Sequence, residues 1–358
     1  GDRELALRYD LTVPMCRFIA MNPNMKLPFK RYQVGEVLRD GPIATARYRQ
    51  FTQCDVDIVG NASVKAYAEI LILTNRAFKK LGFEPIIKVN NRKILNEILD
   101  YAKLDQEQHD AAILSIDKLE KIGMKEVKKE MESKGIDAEC IAAVESIITL
   151  KGTNIEKIQK LKAILGESKG LAEIEELVSF LGVVDVAVDF DVSLARGLSY
   201  YTGTVVEVFL KDSVVKSSVC AGGRYDNIIG QFIGKGSYPA VGISFGLDRI
   251  YDAYVEKKQD GKKSTALVYI APIGTLNESL KIAEELRNEH VPVDIDLAEK
   301  GPSKNLAYAN SMGIPYVLII GEEELKSKKI KLKEMKTGVE HAMGADELVL
   351  FFQTKIGD

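Results

Sequence analysis

The sequence lacks several features that would place it in particular protein classes. Its 358 residues contain no run of about 18 apolar residues, the length that spans a bilayer. The first residues also lack the basic-then-apolar order of a signal peptide. We therefore expect a cytoplasmic protein with no membrane partner. The four cysteines lie far apart and form no C-x-x-C pair, which argues against a zinc site or a disulfide framework. We predict no tightly bound metal ion.

An excess of charge of one sign is also absent, and histidine is scarce. The 49 basic and 52 acidic side chains leave a formal net charge of −3, so there is no overall basic field for unselective nucleic-acid binding. Any RNA contact must then be local. Only three histidines occur, and none lies near a candidate nucleophile. Because histidine acid–base catalysis is thereby disfavoured, we expect chemistry done by charge and positioning.

The chain contains enough apolar residues, 46%, to build two or three domains. Apolar and polar residues alternate at 31–37 and 51–59, with a Gly-Pro turn signal between them, which predicts an antiparallel hairpin with a long loop. From residue 94 to 178 the pattern changes to Lys- and Glu-rich segments with apolar residues at helical spacing. This change predicts a helical insertion.

Strand patterns return after the helical segment. They occur at residues 183–190, 202–210 and 241–245, and the last is followed by a helix-like segment at 246–255. The charged stretch at 257–264 has the composition of a linker. Beyond it, strands and helices alternate in the manner of a compact α/β domain. The predicted strands are 266–270, 291–295 and 316–320, and the predicted helices are 276–288 and 304–312.

Polar side chains gather on the predicted hairpin. Three arginines flank its loop, namely Arg39, Arg47 and Arg49. Three polar residues follow at alternate positions of the second strand, namely Gln53, Asp55 and Asp57, and alternation places them on one face. Spacing alone favours the ordinary explanation, a solvated sheet face. The arginines favour a nucleotide site, because guanidinium groups are planar charged forks suited to phosphate oxygens.

Five motifs, in matching order, resemble those of the class II aminoacyl-tRNA synthetases in their histidyl form. The hairpin segments KRYQVGEVLRDGP and RYRQFTQCDVDIVG resemble the second signature motif of that family. Four others resemble, in order, its amino-acid-binding strand, its histidine-specific signature, the glycine-rich stretch after that signature, and the third class II motif. They are LRYDLTVP (7–14), ARGLSYYTGTVVEVF (195–209), AGGRYD (221–226) and VGISFGLDRI (241–250).

The resemblance implies an α+β fold and a histidine–tRNA ligase that uses L-histidine, ATP with Mg²⁺, and tRNA(His). The antiparallel class II catalytic core would comprise residues 1–93 and 179–256, with a helical insertion at 94–178. A linker at 257–264 would lead to an α/β anticodon-binding domain at 265–358, whose segments IIGEEEL and KIKLKEMKTG are similar to that domain. Lysines there would meet RNA phosphates, although a solvated charged face is the usual explanation of such runs.

Roles for individual arginines follow from the same resemblance. Arg39 would bind the α-phosphate of ATP and Arg249 the γ-phosphate, while Arg196 would lie on the other side of the α-phosphate, where related enzymes hold a metal. These three are the expected catalytic residues, and Arg47 joins them in binding ATP. Fixed guanidiniums would then stabilise the charge that develops when the histidine carboxylate attacks phosphorus. Without the resemblance, Arg196 and Arg249 would be read as surface ion pairs.

The resemblance also implies which residues form the amino-acid site. Its expected members are Asp10, Leu11, Thr12, Gln53, Asp57, Tyr200 and Tyr201. Asp10, Thr12 and Gln53 would hold the α-amino group. The imidazole pocket would be formed by Asp57 with Tyr200 and Tyr201. Core packing is the alternative explanation of the two tyrosines.

The chain departs from the family at two points. Family members normally begin with about 70 to 80 further residues, including a first motif that builds much of the interface of a homodimer. Ser199 stands where the histidine signature commonly has aspartate. Two alternatives remain open: a non-catalytic regulator that partners the first enzyme of histidine biosynthesis, and a synthetase for proline, threonine or glycine. The arginines argue against the first, and ARGLSYYTG argues against the second.

Overall fold

A seven-stranded sheet organises the first part of the chain in the computed structural model, which describes residues 2, 4–44, 46–257, 263–298 and 300–356. The strands, in chain order, are β1 Phe29–Leu38, β2 Gln50–Val59, β3 Pro85–Asn91, β4 Asp189–Phe190, β5 Thr204–Leu210, β6 Cys220–Arg224 and β7 Ala240–Gly246. Their spatial order is β1-β2-β7-β6-β5-β3-β4. Neighbours are antiparallel except for β3 and β4. The antiparallel core predicted for this part is confirmed.

The predicted hairpin is present with its long loop. In the register of β1 and β2, Arg31 pairs with Asp57 and Gly35 with Gln53. The segment with helical spacing contains six helices: α3 Arg92–Tyr101, α4 Gln106–Ile116, α5 Leu119–Ser133, α6 Ala138–Ile148, α7 Asn154–Leu165 and α8 Lys169–Val183. Three helices flank the sheet elsewhere: α1 Thr12–Met21, α2 Val64–Lys80 and α10 Leu247–Lys257. A short helix, α9 Ile228–Ile233, lies between β6 and β7.

Two expectations about strands are wrong. The strand predicted at residues 183–190 is reduced to the two residues of β4, because α8 continues to Val183. A backbone bond from Val186 to the carbonyl of Leu181 at 3.0 Å then closes that helix. LRYDLTVP is also not a strand, since α1 already begins at Thr12. Pro14 is tolerated there, because the first turn of a helix does not use its backbone N–H groups.

The chain divides into two compact units, of which the first is Gly1–Lys257 and the second is Lys258–Asp358. The second unit contains five strands and four helices among its described residues. Its strands are β8 Val268–Pro272, β9 Val293–Ile295, β10 Tyr316–Ile320, β11 Ile330–Glu334 and β12 Glu340–Met343, in the order β12-β11-β10-β8-β9. Its helices are α11 Leu276–Asn288, α12 Pro302–Met312, α13 Glu322–Ser327 and α14 Ala345–Ile356. Strands β9, β8 and β10 run parallel, as a βαβ pattern requires. Of the predicted linker, residues 258–262 lie outside the described residues.

Each unit has its own apolar core. In the first, one continuous cluster includes residues from the sheet, from α2 and from the helices between β3 and β4. In the second, a cluster that includes Val268, Leu318 and Phe352 lies against the five-stranded sheet. Of the helices that the structure describes, none is long and apolar enough to cross a membrane.

Helix α2 offers a matched pair of residues that tests this core. Leu71 is fully buried, whereas Leu73 on the same helix is 42% exposed. We expect Leu71→Ala to lower the free energy of unfolding of the first unit by about 2–5 kcal/mol, because it removes buried methyl groups and leaves a cavity. Leu73→Ala should cost clearly less. Scanning calorimetry of both variants measures the difference, and equal losses would contradict the described packing.

Candidate active site

The polar residues of β2 form the floor of the candidate site. Gln53, Asp55 and Asp57 are buried, with 8%, 3% and 2% of their surface exposed, and they share one face of the strand. The solvated sheet face that spacing alone favoured is therefore wrong for these three residues. The opposite face of β2 is apolar. Together with α2 and α10 it lines a cavity of about 520 Å³, whose lining also includes Arg31 and Asp57.

Glycines on β6 and β7 allow other groups of the site to pack directly against the backbone of these strands. A Cβ atom added to Gly242 would lie 2.0 Å from a carboxylate oxygen of Asp57, and one added to Gly222 would lie 2.1 Å from the carbonyl of Gly242. A Cβ on Gly223 would lie 2.6 Å from the ring of Tyr201. Glycine is therefore required at these positions by the carboxylate, backbone and ring that pack on them.

Asp57 is held by partners on two other segments. The Arg31 side chain on β1 donates to one carboxylate oxygen at 2.9 Å, and the hydroxyl of Tyr225 donates to the other. Burial raises the pKa of Asp57, whereas the charge of Arg31 and the hydrogen bonds from Tyr225 and Arg31 oppose that rise. The carboxylate is thus oriented by the protein itself.

Asp55 has fewer hydrogen-bond partners than Asp57. The Gln53 side-chain nitrogen donates to the hydroxyl of Ser244 on β7 at 2.6 Å, and Ser244 hydrogen-bonds the Asp55 carboxyl. Burial raises the pKa of Asp55 to about 6, although the Ser244 bond lowers it. Within the described part of the chain, one oxygen of Asp55 and the side-chain oxygen of Gln53 are buried without a hydrogen-bond partner.

The start of α1 contributes the predicted segment Asp10, Leu11 and Thr12. The Asp10 carboxylate accepts from the backbone N–H of Val13 at 2.9 Å, which satisfies a free donor of the first helical turn. The side chain of Leu11 is fully buried. Its carbonyl accepts from Arg31 at 3.1 Å, so Leu11 ties α1 to the floor. Thr12 is half-buried.

The two predicted tyrosines lie at one edge of the floor. The ring centroids of Tyr200 and Tyr201 are 4.7 Å apart, and those of Tyr200 and Tyr225 are 6.4 Å apart. Tyr201 is 7% exposed and packs in the core, whereas Tyr200 is half-buried. Burial raises the pKa of Tyr200, and Asp10 is among the charges that raise it further. The ring of Tyr200 therefore packs near both Tyr201 and Tyr225, and the hydroxyl of Tyr225 donates to Asp57.

The predicted arginines form a second, positively charged part of the site. The Arg39 guanidinium lies over the rings of Tyr9 and Phe51, at 4.6 and 5.2 Å from their centroids. Arg249 donates to the carbonyls of Ala46 and Ser218 at 2.9 and 2.7 Å.

The arginine charges influence one another. Burial lowers the pKa of Arg249, and the like charges of Arg47, Arg39 and Arg196 lower it further. Repulsion among cations is relieved by an anion, so this cluster is suited to phosphate groups. Arg196 is ion-paired with Glu207. Burial acts to lower the pKa of Arg196, but Tyr201 and Glu207 raise it overall.

Three residues of the site were missed at the level of sequence: Arg31, Tyr225 and Ser244. Pairing the two strands of the hairpin residue by residue would have placed Arg31 opposite Asp57. Tyr225 lies inside the quoted motif AGGRYD and Ser244 inside VGISFGLDRI, but nothing in the spacing indicates which way their hydroxyl groups point.

Comparison with known proteins identifies the family. The histidyl-tRNA synthetase family model matches residues 1–250, and the anticodon-binding domain model matches residues 267–355. The chain belongs to the histidyl-tRNA synthetase family. As a member, it is an enzyme of the aminoacyl-tRNA synthetase class, which uses ATP as a substrate.

Other members of the histidyl-tRNA synthetase family are similar over most of the chain. The histidine–tRNA ligase 1 of a Bacillus cereus strain is 46% identical over 346 residues, covering 95% of this chain and 81% of that protein. The histidine–tRNA ligase of Clostridium tetani is 37% identical, covering 98% and 82%. The crystal structure of histidyl-tRNA synthetase from Nostoc sp. PCC 7120 has a TM-score of 0.76 at 31% identity, covering 98% and 84%.

One structural neighbour bears a description that includes the alternative function, that of a regulatory subunit. A Bacillus halodurans C protein, described as an ATP phosphoribosyltransferase regulatory subunit/histidyl-tRNA synthetase, has a TM-score of 0.65 at 20% identity, covering 88% of this chain and 79% of that one. A likeness at this identity shows the fold alone. Family membership and the ligase relatives support the enzyme over the regulator.

The raised pKa of Asp55 predicts how stability depends on pH. Its pKa is about 6 in the folded chain against an ordinary 3.8, so the folded state holds the proton more tightly and loses stability as pH rises through 6. Asp55→Asn cannot ionise and should abolish that part of the loss. Between pH 4 and pH 7.5, the free energy of unfolding of the parent should therefore fall by on the order of 3 kcal/mol more than that of the variant. Calorimetric unfolding at both pH values measures the gain, and an unchanged difference would contradict the assigned shift.

Proposed function

We propose that this chain activates L-histidine with ATP and transfers the activated histidine to tRNA(His). In the first step, a carboxylate oxygen of histidine bonds to the α-phosphorus of ATP, and the bond from that phosphorus to the bridging oxygen breaks. Histidyl-adenylate forms and pyrophosphate leaves. In the second step, a terminal ribose hydroxyl of the tRNA attacks the histidyl carbonyl and AMP leaves. The observation that carries the proposal is the cluster of mutually repelling arginines beside a buried acidic floor.

The arginine cluster supplies the electrostatic part of this reaction. Arg39 would contact the α-phosphate, Arg196 would face it from the other side, and Arg249 with Arg47 would hold the outer phosphates. Negative charge grows on the α-phosphate oxygens as the carboxylate attacks. Guanidiniums already fixed by ring and carbonyl contacts stabilise that charge without reorganising, so no general base is required. Mg²⁺ would enter with ATP as part of the substrate.

The acidic floor supplies selectivity for the amino acid. Asp10, Thr12 and Gln53 would hold the α-amino group. Asp57, oriented by Arg31 and Tyr225, would accept a hydrogen bond from the imidazole ring, with Tyr200 and Tyr201 closing the pocket. Leu11 would join Asp10 and Thr12 in the histidine-binding segment, with its own side chain buried.

The wider proposal concerns tRNA and assembly. The second unit would bind the anticodon of tRNA(His), in line with the anticodon-binding domain model that matches it. Cytoplasmic action follows from a role in translation. A homodimer is the expected assembly.

The first test is histidine-dependent exchange between ATP and pyrophosphate. We expect the parent chain to catalyse exchange with histidine and not with proline, threonine or glycine. Arg39→Ala should slow exchange by at least about tenfold, because it removes charge-assisted contacts to the reacting phosphate. Arg76→Ala, an exposed arginine on α2, is the matched control and should retain the parental rate. Equal rates for the two variants would exclude Arg39 from the reaction, and no exchange with histidine would favour the regulator.

A second test separates activation from tRNA recognition. We expect a chain that ends at Glu256 to retain histidine-dependent exchange, because all the predicted contacts to ATP and histidine lie before that residue. Charging of tRNA(His) should collapse, because the proposed anticodon contacts are removed. Both activities are measured on the shortened and the full chain. Loss of exchange along with charging would show that the first unit does not work without the second.

A further inference from the structure

Two buried acceptor atoms on one strand face lack hydrogen-bond partners. They are the side-chain oxygen of Gln53 and one carboxylate oxygen of Asp55, and the structure shows no partner for either among the residues it describes. Buried polar atoms are nearly always paired, and each unpaired one costs about 1–3 kcal/mol. Two such acceptors at neighbouring positions of one face can be satisfied by one ligand that carries more than one donor.

The surrounding hydrogen bonds determine what this donor must be. Gln53 uses its side-chain nitrogen to donate to Ser244, and Ser244 hydrogen-bonds Asp55. The two atoms left over are an amide oxygen and a carboxylate oxygen, and an ionised carboxylate and an amide oxygen can only accept. A single partner for both atoms must supply more than one N–H or O–H.

The carboxyl groups near these two acceptors favour a donor that is positively charged. Asp10, Asp55 and Asp57 bring three carboxyl groups to this end of the site, and both Asp10 and Asp57 act electrostatically on Asp55. Arg31 is engaged by Asp57 and by the Leu11 carbonyl. A primary ammonium group offers three N–H donors and a positive charge. A neutral imidazole ring offers one N–H.

We propose that Asp55 is a substrate-binding residue, whose carboxylate accepts a hydrogen bond from the α-ammonium group of the amino acid while the Gln53 side-chain oxygen accepts a second one. This inference rests on the proposed function, which supplies an amino acid as substrate. It adds Asp55 to the residues expected to bind that group. Asp57 differs from Asp55, because Arg31 and Tyr225 each donate to one of its oxygens and its proposed ligand is the imidazole ring.

The energetics of Asp55 agree with a binding role. Burial raises the pKa of this carboxyl to about 6, so keeping it ionised at neutral pH costs stability of the folded chain. A group that weakens the fold is characteristic of a site kept ready for a ligand. The bound ammonium group would supply the missing hydrogen bond and the compensating charge.

The test compares three ligands on the full chain by titration calorimetry. The ligands are L-histidine, histidinol, which keeps the ammonium group but lacks the carboxylate, and 3-(imidazol-4-yl)propionate, which lacks the ammonium group. Asp55→Asn should weaken histidine and histidinol by about 10- to 150-fold, the value of a hydrogen bond to a charged group. Binding of imidazolylpropionate should hardly change. Asp110→Asn makes the same chemical change on the exposed surface of α4 and should bind all three ligands like the parent.

Three results of these titrations would contradict the proposed role of Asp55 or the proposed function. Equal weakening of histidine and imidazolylpropionate would overturn it, because Asp55 would then support the pocket as a whole. Unchanged histidine binding would also overturn it. The unpaired oxygen of Asp55 would then be hydrogen-bonded by a buried water molecule instead of the substrate. A parent chain that binds no histidine would sink the proposed function itself, whereas a binding-competent parent confines any failure to Asp55. Asp55→Ser provides a second variant, and the thermal midpoint of each variant confirms that it is folded.

Discussion

The site depends on one buried ion pair, between Arg31 and Asp57. The Arg31 guanidinium also donates to the carbonyl of Leu11, so a single side chain joins β1, β2 and the start of α1. Tyr225, directly after β6, completes the set by donating to Asp57. Removing one partner of such a pair costs about 3–5 kcal/mol, because the other charge is left buried and uncompensated. The positions of Asp10 and Tyr225 follow from the segments that this pair holds together.

Charge is separated along the hairpin of β1 and β2. Arginines gather near its loop, where Arg39 and Arg249 are fixed by ring contacts and backbone carbonyls, and carboxylates occupy the middle of β2. A molecule with an anionic and a cationic end would lie between them in one orientation only. Charges that are already in place need not rearrange when charge develops during a reaction, which is how a chain poor in histidine can still do phosphoryl-type chemistry.

The floor contains features that cost the fold stability. Gly222, Gly223 and Gly242 remove side chains where the Asp57 carboxylate, the Tyr201 ring and neighbouring backbone must approach. Asp55 and Gln53 leave buried acceptors unpaired. A sheet built for stability alone would fill this face with apolar side chains, as β2 does on its opposite face with Cys54, Val56 and Ile58.

The sequence by itself determined the hairpin, the helices between β3 and β4 and the βαβ order of the second unit, because hydrophobic periodicity reflects which face of each element is buried. It also determined the family, through motifs that hold Arg39, Gln53 and Asp57. It misjudged residues 183–190, where an apolar run fits a helix end as well as a strand. Only the tertiary structure decided that the polar face of β2 is buried, that Leu11 belongs to the core, and that Arg31 and Tyr225 share Asp57. Those facts depend on which distant segments meet, and side-chain direction across a sheet is set by strand register and packing, which local patterns do not contain.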